Sequence, residues 1–140
     1  MDKKVLYIDL IHSKIGYILA CLSSYSSLDL SKRISEVLLD LDLIKKSYLD
    51  KKQYFDIRNV VNFKEKTKEL EKRLTDDVQV SLHGHKISCL FFEVSTLVKI
   101  YINDFEMNED IKEYFDLLST YLYNCARIIN NEILCFEDKF

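Results

Sequence analysis

A chain of 140 residues with no proline and only two glycines has little material for tight turns. Average usage at this length would supply roughly 7 prolines and about 10 glycines. Sandwiches and barrels need many turns, and turns depend on those two residue types, so an all-β fold is nearly excluded. Helices need neither residue. With 48% hydrophobic residues the chain has ample apolar surface for one buried core, and at this length one domain over residues 1–140 is expected. Disordered chains are apolar-poor and charge-imbalanced, whereas this one carries a formal charge of only −3. The mild acidity, with a pI near 5.6, also argues against a nucleic-acid binder, which would show a basic face.

Apolar periodicity divides the chain into helical segments. Val5, Ile8, Ile11, Ile15, Ile18 and Leu22 recur at three- and four-residue spacing and predict one amphipathic helix. Asp9 and Lys14 interrupt its apolar character, so it reads as neither a signal peptide nor a membrane span. Ser23 to Ser27 suit a loop, and Ser31 suits a helix cap before Ile34, Val37, Leu38 and Leu41. Leu43, Ile44 and Tyr48 either continue that helix or form a short one of their own.

A further helix is expected from about Tyr54, with Val60, Phe63, Thr67, Leu70 and Leu74 on one face and a run of lysines and glutamates on the other, fraying near Thr75-Asp76-Asp77. The segment 87–102 is apolar over a wide arc and is expected to be a central helix wrapped by the others. After Asn103-Asp104, Glu109 and Asp110 suit a helix N-terminus. Ile111, Tyr114, Phe115, Leu118, Tyr121 and Leu122 follow on one face. Asn130-Asn131 reads as a break before a short last helix carrying Ile133, Leu134 and Phe136.

Catalytic and cofactor signatures are missing. There is no glycine-rich phosphate loop, no serine nucleophile elbow and no pair of histidines four apart. Cys21, Cys89, Cys125 and Cys135 contain no C-x-x-C pair and are expected to be small buried hydrophobes; a zinc site with His83 and His85 would have the wrong spacing. No enzyme activity, cofactor or metal is therefore expected. His83, His85 and Lys86 read either as a solvated loop or as a cationic rim beside an apolar groove. Such a groove, where two covering helices splay apart, would accept an amphipathic helix from a partner.

Three stretches resemble, in order and rough spacing, motifs of the Bcl-2 family of apoptosis regulators. Tyr7-Ile8-Asp9-Leu10-Ile11-His12-Ser13-Lys14-Ile15 is similar to its opening helix. Gly84-His85-Lys86-Ile87-Ser88-Cys89-Leu90-Phe91-Phe92 resembles its first-homology region, and Ser119-Thr120-Tyr121-Leu122 its following helix. The chain departs from the pattern in lacking tryptophan, in placing His85 or Lys86 where the family has arginine, and in lacking a Gly-Asp signature near Ile34–Leu41. This erosion is most like the divergent members carried by large DNA viruses, poxviral ones above all.

The resemblance implies an all-α, Bcl-2-like bundle with a buried central helix. It implies a non-catalytic inhibitor of host apoptosis that holds the third-homology helix of Bax-, Bak- or Bim-like proteins and blocks mitochondrial permeabilisation. The groove would lie between helices at 31–49 and 54–74, walled by Val60, Phe63, Thr67, Leu70 and Leu74 and floored by Ile87, Leu90 and Phe91. Lys86, His85 or Arg73 would meet the ligand's aspartate. Such a protein would work in the host cytoplasm, reaching the mitochondrial outer membrane only through a C-terminal anchor that this sequence lacks. Pairing with a second copy by helix exchange is open to a small bundle. Two other readings follow: a poxviral suppressor of NF-κB signalling that uses outer helix faces, and a small helical bacterial or phage inhibitor or immunity protein.

Overall fold

The computed structural model describes residues 2–22, 30–74 and 86–137, the last seven as helical backbone only. Five helices account for nearly all of these residues: α1 (Lys3–Leu22), α2 (Leu30–Asp50), α3 (Ile57–Glu71), α4 (Lys86–Asp104) and α5 (Glu109–Glu137). No strand occurs among the described residues, and the class is all-α. The serines expected to form a loop after α1, the fraying expected near Thr75-Asp76-Asp77, and His83, Gly84 and His85 lie outside the described residues. So do the side chains of Ile133, Leu134, Cys135 and Phe136.

The six periodic residues of α1 are all buried, which is what a three-and-four spacing demands of one helix face. In α2 the buried stripe is Leu30, Ile34, Val37, Leu41 and Ile44. Ser31 lies inside this helix rather than capping it, and Tyr48 belongs to the same helix. With no glycine available, α2 stops at Lys51, whose φ of 54° is the left-handed conformation that closes many helices. Ser47 then ties the connection down: its Oγ accepts the N–H groups of Tyr54 and Phe55 at 3.1 and 3.3 Å. The next helix starts three residues after Tyr54, because Asp56 caps it. The Asp56 carboxylate accepts the Arg58 N–H, and the Asn59 side chain accepts the Asp56 N–H in return.

Side-chain pairs fix the directions. Asp9 meets Lys45 at 2.6 Å and His12 meets Asp42 at 3.1 Å, so α1 and α2 run antiparallel. Lys14 meets Glu93 at 2.5 Å, and the Tyr7 ring lies 5.2 Å from Phe105, which sets α4 antiparallel to α1. Arg33 lies 3.5 Å from Glu69 and Lys66 pairs with Glu36, which sets α3 antiparallel to α2. Phe55 and Phe63 stack on Tyr114, and Phe63 also reaches Tyr121, 5.2 Å away. The up-and-down bundle closes on the α4–α5 hairpin, where Ser95 Oγ donates to the Ser119 carbonyl at 2.7 Å and Ser88 Oγ donates to the Ala126 carbonyl.

The expected central helix is not the one at 87–102. Along α4, Cys89, Glu93, Thr96, Lys99 and Ile100 are exposed, while Ile87, Ser88, Phe91, Val94, Ser95, Val98 and Tyr101 are buried. It is a wall of the bundle. The stretch enclosed by its neighbours is Tyr121 to Asn130 of α5, in which no residue is exposed, whereas Lys112, Glu113, Asp116 and Thr120 on the first half of that helix are exposed. That helix also runs on through Asn130-Asn131 to Glu137 without the expected break. Asparagine costs a helix only about 0.7 kcal/mol or less, and burial of Ile128 and Ile129 beside it outweighs that.

Replacing Ser95 by leucine should force the two helices apart and lower stability by about 1–3 kcal/mol in urea titration. The neighbouring exposed Thr96→Leu should change it by no more than about 0.5 kcal/mol.

Candidate interaction surfaces

The expected groove wall is core. Val60, Phe63, Thr67 and Leu70 are 1 to 5% exposed, and Leu74 is half-buried. They pack on α5, where the rings of Tyr114 and Tyr121 fill the space that a partner helix would need. Thr67 turns its hydroxyl inward to the Phe63 carbonyl at 3.0 Å. Among the floor residues, Ile87 and Phe91 are buried. Leu90 and Lys86 turn the other way, toward α1: Leu90 lines a recess with Ser13 and Tyr17, and Lys86 Nζ sits 5.5 Å from the centre of the Tyr17 ring. The Tyr17 hydroxyl beside it holds the Lys86 ammonium above its ordinary pKa. Leu90 and Lys86 therefore face a different side of the bundle from the walls, and among the described residues Val60, Phe63, Thr67 and Leu70 leave no apolar surface open at the α2–α3 seam. Ion pairs cross that seam instead. Of the three residues expected to meet a ligand aspartate, Lys86 is on the α1 side and Arg73 lines a small cavity between α2, α3 and α5. His85 is outside the described residues.

Beneath the α2–α3 seam, Tyr114 donates its hydroxyl to Asp40 Oδ2 at 2.8 Å. Burial raises the Asp40 carboxyl above its ordinary pKa, against the opposing hydrogen bonds from Tyr114 and Asn59. Burial likewise pushes the Tyr114 phenol up, reinforced by the nearby Asp40 charge. The pair belongs to the scaffold and holds α2 on α5.

Apolar groups are exposed singly at Leu39 and Leu49 on α2 and at Ile57 and Val61 on α3, and as a stripe on the outer face of α1 beside α4, which periodicity analysis did not single out. Leu6, Leu10 and Tyr17 are 43 to 49% exposed and share one stripe of α1, opposite its core stripe. Their spacings of four and seven residues are a second helical signal, hidden because the whole helix is apolar. By length and composition α1 would suffice to cross a membrane, but in the bundle its other stripe is taken up by the core. Ile100, 43% exposed, continues the surface on α4.

Two shallow recesses of about 340 and 430 Å³ lie along this furrow, the second walled by Phe92, Thr96, Leu97 and Ile100. Lys14 and Glu93 line both and form a charged saddle between them. Cys89 is exposed on α4, contrary to the expectation of four buried thiols, whereas Cys125 is fully buried and its thiol pushed up by that burial. Among the described residues no group of three metal-ligating side chains converges.

Compared with known proteins, the chain matches no protein-family model, and no curated protein matches it at a significant level.

Two measurements check this geometry. Phe63→Ala should cost about 3–5 kcal/mol of stability in denaturant titration, as a core residue does, instead of leaving the fold intact. Asp40→Asn should melt above the wild type at pH 7, because the raised pKa makes the ionised carboxylate costly in the fold. The difference should narrow as the pH falls through that raised value, and vanish below the unfolded value of 3.8, where both side chains are neutral.

Proposed function

We propose that this protein is an interaction module that captures a partner protein by seating an amphipathic helix along the α1–α4 furrow. The observation that carries the reading is the exposed apolar stripe Leu6, Leu10 and Tyr17 on α1, together with two recesses against α4, one lined by Tyr17 and Leu90 and the other by Leu97 and Ile100. Two adjacent helices leave a channel between their ridges, and a third helix fits it with anchors at i, i+3/i+4 and i+7. Each buried anchor contributes roughly 1.5–3 kcal/mol. The Lys14–Glu93 saddle fixes register more than affinity, since exposed ion pairs contribute little net energy.

Of the functions that the Bcl-2 resemblance implies, the one using outer helix faces fits this surface: binding of a host signalling protein to suppress NF-κB activation. Sequestration of a death-promoting helix in an α2–α3 groove is less well supported, because that role needs Val60, Phe63, Thr67 and Leu70 to face the ligand.

The test is a stimulated NF-κB reporter in host cells expressing the wild type or the double variant Leu10→Glu with Ile100→Glu. Both positions are exposed, so the variant should melt within a few degrees of the wild type, and the expected result is suppression by the wild type and loss of suppression by the variant. An unsuppressed reporter, together with calorimetric binding of third-homology peptides to the wild type, would move the function to a groove and overturn the reading.

A further inference from the structure

Lys14 and Glu93 sit at the middle of the α1–α4 face and pair with each other at 2.5 Å, their side chains 38% and 53% exposed. Apolar groups lie on both sides of the pair. Tyr17 and Leu90 line the recess toward the start of α4, and Phe92, Leu97 and Ile100 line the other. The Thr96 hydroxyl donates to the Phe92 carbonyl at 3.2 Å, so covering it strands no donor. Other charges nearby are turned aside. Asp9 and His12 pair with residues of α2, Lys99 lies over the Tyr123 ring of α5, and Lys86 stands at the rim beside Tyr17.

A face with one charge of each sign side by side at its centre is complementary to a copy of itself. Turned over about a two-fold axis that runs along the furrow, α1 of each copy lies against α4 of the other, and each Lys14 meets the partner's Glu93. Because α1 and α4 are antiparallel within the chain, the contacts between copies are antiparallel as well, and the pairing inside the bundle is repeated across the interface. An axis across the furrow would instead set Lys14 against Lys14, which charge opposes. The helix that each copy offers is of the kind the furrow admits. Leu6 and Leu10 are one turn apart and Tyr17 two turns further, all on the outer stripe of α1.

We infer that two copies of this chain pair through their α1–α4 faces, with Lys14 of each beside Glu93 of the other, and that a partner's helix must displace the second copy. The inference rests on the reading of the furrow as an interaction surface and names what fills it in the free protein. Each copy brings four large exposed apolar side chains, Leu6, Leu10, Tyr17 and Ile100. So small a core makes a weak, exchangeable dimer with a micromolar Kd, not an obligate one.

Sedimentation equilibrium of the intact chain at low salt tests it, at roughly 1 to 100 µM, a range that brackets a micromolar Kd. The wild type should be dimeric at the top of that range. Lys14→Glu and Glu93→Lys each gather like charges at the interface and should weaken association at least about tenfold. Mixed in equal amounts, the two variants should pair again, because an acidic centre then meets a basic one. The double variant in one chain should regain the homodimer. Both positions are exposed, so every variant should melt within a few degrees of the wild type. A wild type that stays monomeric, single variants that associate as tightly as it does, or a mixture that stays monomeric would overturn the pairing. A monomeric wild type that still suppresses the reporter leaves the furrow to a partner's helix alone, and one that floats with phosphatidylserine vesicles gives it to a lipid surface. A dimer that obeys these charge rules in a chain that leaves the reporter active keeps the pairing and overturns the partner-helix reading instead.

Discussion

The close antiparallel contact of α4 with α5 is the constraint on which the rest of the bundle depends. Ser88 and Ser95 are seven residues apart on α4, and the carbonyls of Ala126 and Ser119 that accept from them are seven apart on α5. Two turns of helix separate the members of each pair, so the same face of each helix meets the other over that whole length. Small side chains let the axes approach, and each serine hydroxyl, buried by that approach, needs an acceptor close at hand. The register so fixed encloses Tyr121 to Asn130. It also presents the opposite side of α5, with Tyr114 and Tyr121, to α3.

From that arrangement the two sides of the bundle follow. Because the α5 tyrosines meet Phe55 and Phe63, α3 closes down on α5 and its apolar face is used internally. The polar ends of those tyrosines then decide what lies around them. Tyr114 finds Asp40 on α2, whereas Tyr121 lies beside the Cys125 thiol at the bottom of a small cavity walled by Arg33, Lys66, Glu69 and Arg73. On the opposite side, α4 is left with one neighbour too few. It packs on α1 and α5, and its remaining apolar groups stay at the surface beside those of α1.

Much of this was legible in the sequence, and the failures have physical causes. The α1 stripe was read correctly to the residue because a six-member periodic pattern admits only one buried face. The identity of the enclosed helix was misread. Cys89, Phe92 and Ile100 made α4 look apolar all round, yet single apolar side chains are common at protein surfaces. The enclosed stretch of α5 carries Tyr121, Asn124 and Asn130, residues that read as surface until the fold buries them. The groove failed for a related reason. Periodicity shows which face of a helix is buried but not which helix covers it, so Val60, Phe63 and Leu70 were assigned to a ligand when α5 already occupied that place. Lys14 and Glu93 could have been recognised as a pair only with α1 laid beside α4, and residues this far apart in sequence carry no spacing signal.

The central claim is that Phe63 lies inside, against α5, while Leu10 and Ile100 lie outside. Proton NMR of the Lys14→Glu chain with a soluble paramagnetic probe tests it directly. The account predicts cross-peaks from the Phe63 ring to the rings of Tyr114 and Tyr121, no broadening of Phe63, and strong broadening of the Leu10 and Ile100 methyls. A broadened Phe63 without those cross-peaks, alongside protected Leu10 and Ile100 methyls, would contradict it.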